Sequence, residues 1–466
     1  PQAFGVIFLG FLFSSVMTEQ STFHVTLPSG RCATVSLPRR SKVVELKKAA
    51  QRILKKGFLR LVADGQMLDT LSLFSSIEKT KLHDGAQLTA IVGAVSVVAT
   101  SYAFALWCVG GDQVVTWGHP CYGGDNREVL DQLRRVERVF ASDSAFAAIL
   151  SDGRVVTWGN PDCGGNSDSV QAELIDVQQV QSTFGAFAAT LGNGQVVTWG
   201  DPSCGGQKPY DDQPKKVKDI QSTDHAFAAI CTDRTVLTWG DERCGGDSSE
   251  VQDQLRQVCQ IRGAAGGAFA AILENGGVVT WGDSQFGADS SGVQDQLQHV
   301  IQVESSYGAF AAILEDRTVV TWGDLECGGD SSDVKDQLQN VQQIVSTKTA
   351  FAALLKNGKV VTWGYPLFGG DSSEVQDQLR HVAHVEATDG AFAAILEDGS
   401  VVSWGDRGFG GDSSKVQHML KDVQQLRATG RGAFVALSVD GMVTTWGDPE
   451  FGGDSAAVQD AFPFVS

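Results

Sequence analysis

His384 to Asp422 reads HVEATDGAFAAILEDGSVVSWGDRGFGGDSSKVQHMLKD. AFAAIL and VVSWG are apolar runs of strand length, and Asp398-Gly399 between them belongs to the pairs that reverse a chain with φ > 0. The spacing predicts two adjacent antiparallel strands joined by a two-residue hairpin. The preceding segment, of the kind seen in Val177 to Thr183 (VQQVQST), makes a third strand. The unit then returns: Trp-Gly occurs with Trp at 117, 158, 199, 239, 281, 322, 363, 404 and 446, always 40 to 42 residues apart. Such a unit cannot bury both faces of its sheet alone, so copies must stack on one another, which predicts a mainly β fold, a many-bladed β-propeller of nine repeats. Nine exceeds the usual four to eight blades, so either the ring is large or some units stack outside it.

Side-chain size follows the repeat. Phe104, Phe146, Phe187, Phe227, Phe269, Phe310, Phe351, Phe392 and Phe434 recur among alanines. Small residues suit strands crowded near an axis, and Phe with Trp would fill the layer between blades. Five residues after each Trp stands Tyr122, Cys163, Cys204, Cys244, Phe286, Cys327, Phe368, Phe409 or Phe451. A position open to Cys, Phe and Tyr alike is an apolar packing position, so these thiols read as buried rather than metal-binding. No Cys/His spacing suits zinc, and the odd total of 9 Cys favours a reducing compartment.

Two acidic series run through the loops. Asp201, Asp241, Asp283, Asp324, Asp406 and Asp448 lie two residues after Trp; Asp125, Asp247, Asp289, Asp330, Asp371, Asp412 and Asp454 lie eight after it. Each has a local use as a turn or cap residue; together they predict an acidic rim able to steer a basic protein partner. One loop breaks the pattern: Gln207 to Pro214 (QKPYDDQP) gains Tyr210, an anchor of the type that dominates interfaces.

Charge divides the chain. Overall, 55 acidic residues face 36 basic ones, for a net of −19, which argues against a nucleic-acid binder. Ser21 to Val92 holds 12 Lys and Arg against 5 Asp and Glu, whereas the chain from Gly93 carries 24 against 49, a net near −25. The expected domains are therefore 1–20, an apolar leader or non-native extension; 21–93, a small α+β domain; and 94–466, the propeller. Ala3 to Met17 is too short to span a membrane and has no basic residue before it. A membrane is not among the expected partners. In the basic segment, FHVTLP, the Ser29-Gly30 turn and ATVSL read as one hairpin. Val43, Leu46, Ala50 and Ile53 recur at helical spacing, LRLVA with Asp64-Gly65 starts a second hairpin, and LTAIV closes the segment.

The basic segment resembles a ubiquitin-like β-grasp domain, chiefly in LRLVADGQMLD and KLHDGAQLTAIV. The resemblance implies a partner-recruiting patch at Pro28, Val62 and Ile91. After Ile91 the chain continues without a terminal Gly-Gly, so conjugation is not implied. The repeats resemble those of the regulator of chromosome condensation family, through VVTWG and the paired glycines after it. That family includes exchange factors for a Ran-type GTPase and propellers of HECT-type ubiquitin ligases. Phe in place of a frequent first-strand His, and no inserted hairpin to wedge into a GTPase, are departures from it.

No nucleophile elbow, P-loop or HExxH is present, and the 8 His match no repeated position. The expectation is a non-enzymatic adaptor with no cofactor and no metal, cytoplasmic or else nuclear. It would join a basic client on the propeller to a ubiquitin receptor or proteasome subunit. The alternatives are a nucleotide-exchange factor and a fragment of a larger ligase.

Overall fold

Three strands make each repeat in the computed structural model, which describes residues 20–455 apart from 28–31, 55–58, 64–65, 69–75, 78–81, 93–94, 110, 112–113, 208–214 and 440–441. The chain forms two compact units, Pro1–Val92 and Gly93–Ser466.

In the first unit, β1 (Gln20–Thr26), β2 (Cys32–Pro38), α1 (Val43–Leu54), β3 (Leu59–Ala63), β4 (Gln66–Met67) and β5 (Gln87–Val92) form a sheet ordered β2-β1-β5-β3-β4 with one helix. Among the described residues of this unit, only the β1–β5 pair is parallel. This is the β-grasp arrangement. Val43, Leu46, Ala50 and Leu54 of α1 are fully buried with Phe23, Val25 and Leu61. Leu54 therefore takes the core position expected of Ile53, which is half exposed. A helix turns about 100° per residue, and that step carries Ile53 off the stripe.

The second unit is nine antiparallel three-stranded sheets. Their first strands, Val95–Ala99, Val136–Ala141, Val177–Ser182, Val217–Ser222, Val258–Ala264, Val300–Ser305, Val341–Ser346, Val382–Ala387 and Val423–Ala428, define blades one to nine. Each first strand touches the first strand of the next blade, and the ninth touches the first. The ring is therefore closed with all nine units inside it. The apolar seam joins Val97, Phe104, Leu106 and Trp117 to Ala433, Val435, Leu437 and Val443.

The innermost strand is thus the polar one, and the alanine-rich strand lies in the middle of each blade. Its residues are buried from end to end, as in Ala145–Leu150, because neighbouring blades cover both its faces. Crowding between blades, rather than at the axis, selects alanine. Within every blade the Phe ring stacks on the Trp ring of the outer strand, with centroids 5.1–5.2 Å apart. The stack is clamped by the preceding blade. In blade seven, Trp363 Nε1 donates to the Gly328 carbonyl at 3.0 Å, and a Cβ on Gly328 would lie 2.8 Å from the Phe351 ring. Eight of the nine repeat tryptophans make this bond, all but Trp239, and among them Trp117 makes it to Gly452 across the seam at 3.2 Å.

The D-S-S-x-V-Q motif stands in for a fourth strand. Gln171, Gln252, Gln294, Gln376 and Gln417 donate their amides to outer-strand carbonyls of Val155, Val236, Val278, Val360 and Val401 at 2.8–3.1 Å. An edge that would otherwise invite another chain is thereby satisfied.

The hairpins differ from the two-residue turns expected. Gly153 N–H donates to Leu150 O and Leu150 N–H to Arg154 O, both at 2.9 Å, so the loop is three residues with only the glycine at positive φ, 78°. Arg317 holds the equivalent position at φ 67°. A left-handed non-glycine residue costs roughly 1–2 kcal/mol, partly offset by the greater unfolded-state entropy of glycine. Arg317→Gly should accordingly raise the urea midpoint, with a gain of about 0.5–1 kcal/mol.

Candidate functional site

One end of the ring is built by the turns between inner and middle strands. Each of seven turns opens with a hydroxyl: Thr100, Ser142, Thr183, Thr223, Ser306, Thr347 or Thr388. The hydroxyl oxygen accepts the N–H of the first middle-strand alanine at 2.9–3.1 Å. It donates in turn to the carbonyl of the residue five after Trp, at 2.8–3.3 Å. Turn and loop are thereby locked together.

The residues at the crest of these turns are linked in a circlet. Ser101 N–H donates to Asp143 O, Asp143 to Phe184, Phe184 to Asp224 and Asp224 to Ala265; Gly266 donates to Tyr307 O, Tyr307 to Lys348, Lys348 to Asp389 and Asp389 to Gly430, all at 2.7–3.2 Å. The backbone makes these bonds, so the side chains are free to differ, and they do: Ser101, Asp143, Phe184, Asp224, Ala265, Tyr307, Lys348, Asp389 and Gly430. A cavity of about 300 Å³ lies here, lined by Ser101, Asp143, Phe184, Asp224, Ala265 and Gly430 among others.

This mouth is acidic with aromatic neighbours. Burial pushes the Asp224 carboxyl up from 3.8 to about 6, against the pull of His225 and Lys348, with Asp143 and Asp389 adding to the rise. Asp389 is also raised by burial, although Lys348 Nζ sits 2.8 Å from it. An acid raised in the folded state binds more protons there than when unfolded. Its stabilising contribution is present below pH 3.8 and is lost as pH rises to about 6. The shift corresponds to a penalty on the order of 3 kcal/mol at neutral pH. Asp224→Asn should therefore raise the unfolding midpoint at pH 7.5, and the gain should vanish near pH 4 when the pH series is measured.

Of the residues expected from sequence, the two aspartate series lie in turns at this end of the ring. Asp201, Asp241, Asp283, Asp324, Asp406 and Asp448 each cap a short 3-10 turn, accepting an N–H two residues on at 2.7–2.9 Å. Asp125, Asp247, Asp289, Asp330, Asp371 and Asp412 do the same in the next turn, at 2.8–3.1 Å. The capping turns surround the mouth, because their first N–H groups bond the same crest loops, as Asp201 does to Gly185. The position five after Trp is apolar but graded: Cys204 and Cys327 are buried, Cys163 and Cys244 half-buried. Burial and Asp324 push the Cys327 thiol up to about 12, so it stays protonated. Tyr210 and Pro28 lie outside the described residues. Val62 is half-buried in β3 and pairs with exposed Thr89, and Ile91 in β5 pairs with Arg60; the Ile91 side chain is outside those described.

Sequence reading passed over the circlet. The available signal was its variability: three or four residues before each repeated Phe, an otherwise uniform unit carries nine crest residues of seven types.

No protein-family model matches the chain, and no curated protein matches it. Among solved structures, yeast RCC1 (Prp20) bound to Kap60 is similar at 14% identity over 64% of this chain and 79% of that one, TM-score 0.39. Prp20p of Saccharomyces cerevisiae, described with its binding to Gsp1p and histones, is similar at 14% over 64% and 81%, TM-score 0.37. The ubiquitin-like domain of an Arabidopsis thaliana protein is similar at 16% identity over 18% of this chain and 87% of that domain, TM-score 0.15.

Proposed function

We propose that the chain is a non-enzymatic protein-interaction scaffold whose propeller mouth receives a basic segment of a client. The observation that carries this reading is the circlet: nine crest positions strung together by eight backbone bonds but furnished with carboxylates, a phenyl, a phenol and one ammonium. A rigid frame with a different side chain at each station is suited to recognition. Three carboxylates outnumber the two cations beside them, Lys348 and Arg431, and set the sign of the partner. The thiols at the same end are kept protonated by burial, which favours binding over nucleophilic chemistry. In the finer form of this proposal, the β-grasp unit recruits a ubiquitin-system receptor through the sheet face bearing Val62.

The test captures partners on the full chain, on Val62→Arg, and on Asp143→Asn with Asp389→Asn. Two separable sets are expected: ubiquitin receptors or proteasome subunits lost only with Val62→Arg, and basic proteins lost only with the mouth variant. Identical captures on all three would contradict the proposal. Accelerated nucleotide release from a captured small GTPase would favour the exchange-factor reading instead.

A further inference from the structure

Two of the nine turns that follow the outer strands have no side-chain cap, at His119 and Tyr365. His119 has a structural return, since its ring packs on Tyr122 at 4.5 Å and Tyr102 at 6.5 Å. Tyr365 has less. Its backbone, φ −66° and ψ 119°, matches that of the capped turns, such as Asp324 at −63° and 124°, so an Asp would fit there unstrained. The tyrosine instead touches Phe368 edge-on at 5.6 Å and leaves 44% of its surface in solvent.

Two more apolar residues stand close to it in the fold. Leu367, in the same turn, is 65% exposed, at a position where other repeats carry Asp162, Arg243, Gln285 or Glu450. Leu325, in the turn of the preceding blade, is 72% exposed. Leu325 and Tyr365 line one groove of about 450 Å³, whose wall also carries Glu326, Asp330 and Asp333. A repeat that gives up a cap and places a tyrosine and a leucine in water, beside a second exposed leucine of the preceding blade, departs from its own pattern without a gain in the fold. Local departures of this kind collect at functional sites.

We propose that this groove is a docking site for an extended protein segment that presents apolar anchor side chains beside Lys or Arg. Leu325 and Tyr365 supply the kind of exposed apolar surface that anchors fill. The three carboxylates fix the sign of the flanking residues. The site is separate from the axial mouth and does not depend on the function proposed for it.

Because the consensus of the repeat is known, function and fold can be separated by restoring it. Twelve-residue random peptides displayed on phage are selected on the full chain at physiological salt. The best is then synthesised and its affinity measured on Tyr365→Asp, Leu325→Glu and the mouth variant Asp143→Asn with Asp389→Asn. Selected peptides should carry at least two large apolar residues and a Lys or Arg. Affinity should fall at least tenfold on Tyr365→Asp and on Leu325→Glu, and stay within twofold on the mouth variant. Tyr365→Asp should also unfold at a higher temperature than the unaltered chain, since it regains a cap. No enriched peptide, an acidic consensus, unchanged binding on both groove variants, or a lowered unfolding temperature for Tyr365→Asp would each overturn the proposal.

Discussion

Phe351→Ala is expected to destabilise the propeller by about 3–5 kcal/mol, the usual cost of removing a fully buried phenyl ring. Phe351 has no exposed surface, stacks on Trp363 at 5.2 Å, and lies under the backbone of Gly328 from the blade before. Its removal leaves a hole on the interface between two blades, and the Gly328–Phe351–Trp363 clamp loses its middle layer. In a ring whose units hold only their neighbours, weakening one interface weakens the closure of all. Asp324→Ala provides the comparison: it removes one cap in an exposed turn and should cost about 1 kcal/mol. Urea unfolding of both variants checks the ratio. Equal losses would mean that the clamp does not carry the blade interface.

A chain ending after Asp422, and so lacking the ninth blade, is expected to fail more severely. The eighth and first blades would each expose a face that is buried in the complete ring. On the first blade that face includes Val97, Phe104, Leu106 and Trp117. Trp117 Nε1 would also lose the Gly452 carbonyl as its acceptor. Fully burying one such side chain is worth about 1.5–3 kcal/mol, so two open faces exceed the net stability of a typical domain. Sedimentation of the truncated chain should show aggregates or ring-completing oligomers. An eight-bladed monomer with an unchanged unfolding midpoint would contradict a ring that needs all nine units.

What was legible in the sequence was whatever repeats. Nine variants of the AFAAIL, VVTWG and paired-glycine unit carry the strands and their order, whereas the stacking of Phe on Trp within each blade was not among the expectations. The alanines were placed at the axis because smallness was attributed to crowding there. In the fold, the axis is bordered by the polar first strand, and crowding is greatest between blades. The hairpins were read one residue too short, because Asp-Gly alone does not distinguish a two-residue turn from a three-residue turn with a left-handed glycine. Closure of the ring depends on Val97 meeting Ala433, a contact no local pattern announces. The acidic rim was visible residue by residue, but its members are engaged in capping turns. The circlet was hidden for the opposite reason: backbone atoms hold it, so its side chains show no pattern except variety.

The central claim is that the mouth, rather than the acidic surface at large, receives a basic segment. It is tested most directly by calorimetric titration of the full chain with an acetylated, amidated octapeptide of alternating Arg and Lys. Two triple variants are compared: Asp143→Asn, Asp224→Asn and Asp389→Asn at the mouth, and Asp201→Asn, Asp283→Asn and Asp324→Asn on the rim. Both remove three charges, and Asn still caps, as Asn160 does in the second blade. The account predicts at least a tenfold loss of affinity for the mouth variant and less than a threefold loss for the rim variant, with wild-type binding weakening as pH falls through about 6. Equal losses in the two variants, or none in either, would contradict it.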